Sequence, residues 1–375
     1  MRDELRADVE HLAAIERPSA SPGEREAAEW IAGRLRDCRL DPKVEEERAH
    51  PGFWWPVGLL NGLALAAAAL PRRALRRALA AVAVALLADD LDHRTRGFRR
   101  LLPKRPTYNV SAEHGDPRAE RTIVIVAHHD AAHGGLIYDT RGIEAIARRF
   151  PAVIDRATRW PPMMWGVVIG PLLLAAGRRR LGVVWTLGAI AAMADIGRTP
   201  VVPGANDNAA AVAVLLQLAR RRYEGVRVIL LSTGSEESNA DGMKEWGRRH
   251  FGELPTESTA FVALETLGSG NLAISEAEGF LVAHRFDDDL KDRATRAAER
   301  VGVRASRGLT NSFISDATVP LNAGYPTMLL GAIDDTKLPA NYHKPWDTPE
   351  KLDYECVANA VELLDALIRD WANER

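Results

Sequence analysis

The sequence predicts an α/β fold: a mostly parallel central sheet flanked by helices, with two apolar helical hairpins inserted into it. Three observations carry the prediction. The apolar runs at 122–127 (TIVIVA), 226–231 (VRVILL) and 260–264 (AFVAL) read as strands buried on both faces. Helical patterns lie between them, notably at 209–222 and 290–301, and strands alternating with helices build a parallel sheet. Two further segments, 52–92 and 151–200, are too apolar and too long for that scheme and read as insertions into one domain spanning 1–375.

Taken in order, Ser21-Pro22-Gly23-Glu24 has the form of a capping box with proline at the first helical position. The helix that follows carries Ala27, Trp30, Ile31 and Leu35 on one face. A charged stretch at 43–48 suits an edge strand. The first insertion reads FWWPVGLLNGLALAAAAL, PRRALRR, ALAAVAVALL, and the second WPPMMWGVVIGPLLLAAG, RRR, LGVVWTLGAIAAMADIG. Each is an apolar hairpin with arginines at its tip. A fourth, less pronounced strand falls at 327–330. Thr348 and Pro349 open a last helix, along which Val357, Val361, Leu364, Ile368 and Trp371 recur at helical spacing.

Composition narrows the function. With 46% hydrophobic and 27% charged residues, the chain has the makeup of a folded protein rather than a disordered one. A formal net charge of −2 gives no reason to expect nucleic acid as a partner. Cys38 and Cys356 have no metal-ligand spacing and cannot form a disulfide framework. Residues 1–18 lack the apolar stretch and cleavage site of a secretory signal peptide.

The hairpins bear on location. A transmembrane helix needs about 17–25 apolar residues. The runs at 53–70, 160–177 and 181–197 reach the low end of that range, the last carrying Asp195, while 78–87 is shorter. Trp54, Trp55, Trp160 and Trp165 suit an interfacial belt. The expectation is a protein embedded in or associated with the cell membrane rather than free in the cytoplasm. A soluble helical cap or a homo-oligomer face is the alternative use of the same surface. Arginines flank the hairpins at both ends, so charge does not set an orientation.

Chemistry gathers where strands end. His128 and Asp130 follow the strand TIVIVA, and ligands of open α/β sheets sit at such carboxyl ends. Asp207 lies in the turn PGANDNAA, just before a helix, where a plain N-cap is the ordinary reading. Glu236 and Glu237 are adjacent carboxylates after the strand VRVILL, and such a pair repels unless cations or a shared proton compensate. Glu265 closes the strand AFVAL, and Tyr342-His343 precede the final helix. Each alone has a bland reading as a capping or solvated residue. Together, two histidines and four carboxylates on one rim suit a borderline cation such as zinc, and the inventory suffices for a pair of ions with one bridging carboxylate.

The pieces AHHD, PGANDNAAAVAVLLQLA, SEES, the strand ending in LET, and YHKPWDTPEKLD occur in an order that resembles metallopeptidase family 28, the co-catalytic zinc aminopeptidases and glutamate-carboxypeptidase-like enzymes. The resemblance covers most of the chain outside the hairpins and implies a zinc-exopeptidase-like catalytic domain with two Zn2+. It implies that His128 and Glu265 hold one metal, Glu237 and His343 the other, and that Asp207 bridges them through a cis peptide to Asn208. It further implies Glu236 as general base, Asp130 in support of His128, and Tyr342 as a donor to the tetrahedral intermediate. The implied substrate is a peptide or an N-acyl or aminoacyl small molecule, and the implied activity is that of an aminopeptidase. Two departures stand out: Glu265 occupies a position that is usually Asp, and the second hairpin lengthens the segment between Asp130 and Asp207. A glutaminyl-cyclase-like acyltransferase is the alternative enzyme, disfavoured because His128 is present. A non-catalytic receptor or scaffold is disfavoured because every ligand position holds a competent residue.

Overall fold

The computed structural model describes residues 1–159 and 162–372, so Trp160 lies outside the described residues. The main sheet comprises β1 (Lys43–Ala49), β2 (Arg105–Gly115), β3 (Thr122–His128), β4 (Arg227–Thr233), β5 (Thr259–Glu265), β6 (Asn271–Ile274), β9 (Ala305–Ser306) and β11 (Thr327–Ile333). Their order is β1-β2-β4-β3-β5-β11-β6-β9, and the central four, β4, β3, β5 and β11, run parallel. A small second sheet joins β7 (Ala277–Glu278), β8 (His284–Arg285) and β10 (Thr310–Asn311). The expected α/β class and largely parallel sheet are those observed.

Alternation along the strands divides the core. Ile123, Ile125, Val228, Leu230, Val262 and Leu264 join a cluster with helices α1 (Arg2–Ala13), α2 (Pro22–Asp37), α9 (Ala210–Leu218), α11 (Asp288–Arg300) and α13 (Tyr354–Ala372). Val124, Val126, Ile229, Leu231 and Phe261 join the opposite cluster, with Met243 and Trp246 of α10 (Asp241–His250). The short helix α12 (Thr318–Asn322) follows Ala317, which packs with Ala263 and Leu329 on that second side. All seven positions of β3 and of β5 are buried, which is why those strands read as unbroken apolar runs.

The last helix begins later than expected. Pro349–Lys351 forms a short 3-10 turn, and α13 starts at Tyr354. Asp353 supplies the cap: its carboxylate accepts from the N–H of Glu355 at 2.9 Å and of Cys356 at 3.3 Å.

Helices α3 (Trp54–Ala68), α4 (Arg73–Leu91), α7 (Trp165–Ala175) and α8 (Arg179–Arg198) pack on one another as one helical unit. Helices α5 (Arg141–Arg149) and α6 (Pro151–Asp155) precede α7 in the chain. Small residues bring α7 and α8 close together: a Cβ added at Gly170 would stand 2.7 Å from the backbone nitrogen of Thr186. The arginines at the tips cap helix ends. Arg179 donates to the Ala68 carbonyl at 2.9 Å and Arg77 to the Ala175 carbonyl at 2.8 Å, where the helix dipole favours cations. Leu181, Val184 and Trp185 of α8 and Leu59 of α3 are exposed. Only α8 among the described helices is long and apolar enough to cross a membrane. Its Asp195 sits at the domain end, where it accepts from the Leu136 N–H at 2.7 Å.

Candidate metal centre

The candidate residues converge at the carboxyl ends of β3, β4 and β5. His128 is the last residue of β3, and Glu265 the last of β5. Glu236 and Glu237 lie in the loop after β4, and Asp207 in the turn before α9. His343, in the left-handed region at φ 53°, comes from the loop between β11 and α13. His128, Asp207 and His343 are buried.

The two carboxylate oxygens of Asp207 point different ways. His128 Nε2 lies 3.3 Å from Oδ1, and His343 Nε2 lies 3.2 Å from Oδ2. His128 Nε2 is also 3.4 Å from Glu265 Oε2, and His343 Nε2 is 3.2 Å from Glu237 Oε1. Two triads share Asp207, His128–Asp207–Glu265 and Asp207–Glu237–His343, and His128 also forms a third such group with Glu236 and Glu237. Charge-assisted hydrogen bonds would be shorter, about 2.7–2.9 Å. Donors spaced tetrahedrally around an ion at about 2.0–2.1 Å stand roughly 3.3 Å apart, which is the spacing seen. Asp207 Oδ2 and both ring nitrogens of His343 are buried without a hydrogen-bond partner. Oxygen and imidazole donors in this number fit zinc.

Electrostatics agrees that cations belong here. Burial pushes Glu236 well above the usual carboxylate range, reinforced by the charges of Glu265, Glu237 and Asp316 against the opposing pull of His128. Burial likewise pushes Glu265 up to about 8, against the pull of His128. Burial alone would lower His343, but the charge of Glu237 and its contact with Asp207 hold it well above the ordinary value. Burial also opposes ionisation of Asp207, yet the two imidazoles outweigh it and keep that carboxylate charged.

Surrounding polar residues fix the ligand loops. The turn at Asp207 is pinned on both sides. Asp347 accepts from the N–H of Asn206 at 2.9 Å and of Asp207 at 3.1 Å. Asn208, joined to Asp207 by a cis peptide, donates to the Leu264 carbonyl at 2.8 Å and accepts from the Thr266 N–H at 3.1 Å, tying the turn to the end of β5. Arg17, wholly buried, donates to the carbonyls of His129, Pro203 and Gly204.

Asp130 lies within reach of His128, but most of its bonding is elsewhere. His128 Nδ1 is 3.1 Å from the Asp130 carbonyl and 3.4 Å from its carboxylate. That carboxylate accepts from the N–H groups of Glu236 at 3.0 Å and Glu237 at 3.1 Å, and from the Ser19 hydroxyl at 2.6 Å. Glu24 does comparable duty one residue earlier, accepting from the N–H and hydroxyl of Ser235, whose φ of 52° is left-handed. Tyr342 stacks on His343 with ring centroids 3.8 Å apart.

Sequence reasoning missed several contributors. Asp316 is buried, is held by the Thr233 hydroxyl, and leaves Oδ1 without a partner. Its charge acts on both Glu236 and Glu265. It follows no strand, so strand-end reasoning could not find it. Tyr138 packs edge-on against His343, with centroids 4.4 Å apart, from a 3-10 turn at Leu136–Tyr138 that has no sequence signature.

Residues 189–368 match the model described as Peptidase family M28. That match covers 180 of the 375 residues, and over them the chain is similar to this family. The match contains Asp207, Glu236, Glu237, Glu265 and His343, and begins after His128. Solved structures share the fold over nearly the whole chain. The aminopeptidase from Aneurinibacillus sp. strain AM-1 is 14% identical, with a TM-score of 0.57 over 98% of this chain and 93% of that one. BSAP, a zinc aminopeptidase from Bacillus subtilis, is 14% identical, with a TM-score of 0.57 over 99% of this chain and 95% of its own. The Porphyromonas gingivalis glutaminyl cyclase is 14% identical, with a TM-score of 0.56 over 99% and 98%. At such identities the likeness is one of fold. No curated protein matches the chain in sequence.

Proposed function

We propose that the chain is a metal-dependent hydrolase of peptide or related amide bonds, of exopeptidase type, using two zinc ions. Aminopeptidase action is the first specificity proposed, N-acyl or aminoacyl small molecules are further substrates of the same chemistry, and a glutaminyl-cyclase-like acyltransferase is the alternative. The observation that carries the reading is the pair of triads sharing Asp207, with donor atoms 3.2–3.4 Å apart. In this proposal His128 and Glu265 hold one ion, Glu237 and His343 the other, and Asp207 joins them.

Zinc in such a site makes a bound water acidic and polarises the carbonyl under attack. Glu236 is proposed as the general base. Its raised affinity for a proton matches the task of taking one from the attacking water and passing it to the leaving amine. The N–H bonds to Asp130 hold the backbone of Glu236 and Glu237 in position. The Tyr342 hydroxyl is proposed to donate to the developing oxyanion.

The test joins metal content with turnover. The purified protein should bind close to two zinc ions and release 4-nitroaniline from aminoacyl or acyl anilides. Glu236→Gln should keep the metal and lose turnover by a factor of about a thousand, within the roughly hundredfold to ten-thousandfold range of general-base contributions. Undiminished turnover in that variant would remove Glu236 from the mechanism. A cyclase would instead convert N-terminal glutamine without consuming water.

We also propose that the unit of α3, α4, α7 and α8 docks the protein to the cell membrane, supported by the exposed apolar residues of α8 and α3. Carbonate extraction should leave the protein in the membrane fraction, whereas active monomer recovered without detergent would oppose docking.

A further inference from the structure

The metal centre opens onto an apolar cleft with about 1130 Å³ of empty space. Met164, Met193 and Ile196 on its walls come from the inserted helical unit and its approach; Phe280, Phe313 and Ile314 come from the α/β domain. Glu236, Glu237 and His343 also line it, so an apolar chain lying there reaches the proposed reacting atoms.

The charges available in the cleft are few. Among its described lining residues there is no lysine or arginine, so a free carboxylate would have no cation to meet. Its acids are Glu236, Glu237 and Asp139. The first two are assigned to proton transfer and metal binding, and Asp139 is already paired with Arg141. A free ammonium group carried into this space would therefore lack a partner, and burying an unpaired charge is expensive. An uncharged hydrocarbon chain fits without that penalty.

A second groove meets the cleft at Tyr138, Asp139, Thr140 and His343, and its lining is more polar than that of the cleft. Its lining includes Arg141 and Lys344 together with Asp139, Glu144, Asp195 and Asp334. The Lys344 ammonium bonds to the Thr140 hydroxyl, stands 3.8 Å from the Glu144 carboxylate, and lies over the Trp346 ring, 5.7 Å from its centroid; a ligand carboxylate there would compete with Glu144 for it. An apolar compartment and one bearing charges of both signs thus adjoin at the metal centre, and Lys344 is the cation of the second that stands nearest His343 in the chain.

Resting on the hydrolase reading above, we infer that the substrate is an N-acylated amino acid with a long aliphatic chain. The chain lies in the cleft between the inserted helices and the domain, the amide lies at the metal centre, and the amino-acid carboxylate lies in the groove beside Lys344. Hydrolysis breaks the amide C–N bond. The water oxygen bonds to the acyl carbon and its proton goes to the departing nitrogen. The products are a fatty acid and a free amino acid.

The experiment uses zinc-loaded Glu236→Gln protein, so that ligands persist, and titrates N-acetyl-, N-octanoyl- and N-lauroyl-alanine below their micelle concentrations by calorimetry. Affinity should rise by at least about a hundredfold from acetyl to lauroyl, because each methylene leaves water. Phe280→Ser and Met163→Glu, the latter at an exposed rim position, should each cut the lauroyl affinity about tenfold and leave N-acetyl-alanine unchanged. Lys344→Ala should weaken N-lauroyl-alanine but not N-lauroyl methylamide, which has no carboxylate. Acetyl and lauroyl ligands binding within threefold of each other would overturn the inference. Wild-type turnover separates the two claims. Cleavage of aminoacyl anilides with indifference to chain length keeps the hydrolase and sinks the acyl chain. Tight lauroyl binding without any cleavage does the reverse.

Discussion

Asp207 faces one imidazole with each carboxylate oxygen and is the residue common to the two triads. Asp207→Asn keeps the size and the backbone bonds to Asp347 while halving the oxygen donors. Zinc bound per chain should fall below one, turnover should fall by a factor of a thousand or more, and the circular dichroism spectrum should be unchanged; elemental analysis beside an activity assay reads all three. Ser19→Ala acts one step further out, removing a bond to the carboxylate that positions Glu236 and Glu237. Supporting bonds of this kind are worth about tenfold to a hundredfold. A kcat reduced in that range at unchanged zinc content is expected, and loss of zinc instead would make Ser19 a determinant of affinity. The residues implied from sequence stand at or just after strand ends, as His128, Glu236, Glu237 and Glu265 do, or ahead of a helix, as Asp207 and His343 do. Asp316, Tyr138 and Arg17 escaped because they come from loops and turns, and only the folded chain brings them to the rim.

At the scale of elements, the strands buried on both faces were legible because burial leaves one composition, aliphatic throughout. Strand β2 was not: RPTYNVSAEHG alternates partly exposed and buried positions, and it pairs antiparallel with β1 and β4 near the edge. The start of α13 was misplaced because Thr348-Pro349 and Asp353 both carry start signals, and Asp353 takes the helix while Pro349 takes the short turn before it. The apolar runs were legible, but their helix bounds were not: α3 (Trp54–Ala68) and α7 (Trp165–Ala175) are shorter than their runs, whereas α4 and α8 extend beyond theirs into flanking arginines. Close packing of α7 on α8 gives a direct test of the unit. Gly170→Val would place a branched side chain against the Thr186 backbone, and overpacking of this kind costs about 1–3 kcal/mol. Proteolysis should open the 165–198 segment first, with zinc binding by the remaining domain retained. Loss of zinc together with the helices would mean that the unit and the centre fold as one.

For the molecule as a whole, the site concentrates buried acids that only cations can balance, and stability should therefore depend on pH and metal together. Burial raises Glu265 to about 8, and raises Asp316, Glu24 and Asp347 to about 7. A group whose pKa is raised by folding stabilises fully below its unfolded value, near 4, and that contribution is lost as pH rises through the folded value. His128 and His343, also raised, act in the same direction. His129, buried neutral and lowered to about 3, acts oppositely, but its effect is complete once pH exceeds the unfolded value of 6.5. Asp130 and Asp207 are lowered, so their contribution changes only in acid. Between about pH 6.5 and 8 the acids and the two raised imidazoles act together, and chelator-treated protein should lose several degrees of Tm across that interval. Zinc replaces the missing positive charge and binds the folded form alone, so it should raise Tm at both ends and by more at pH 8, where the ligands shed protons without cost to the fold. Calorimetric scans of chelated and zinc-loaded protein at both values measure the difference. A zinc increment equal at the two pH values would mean that the ligands are already deprotonated, and that the carboxylate crowding around Asp207 is relieved by something other than a metal.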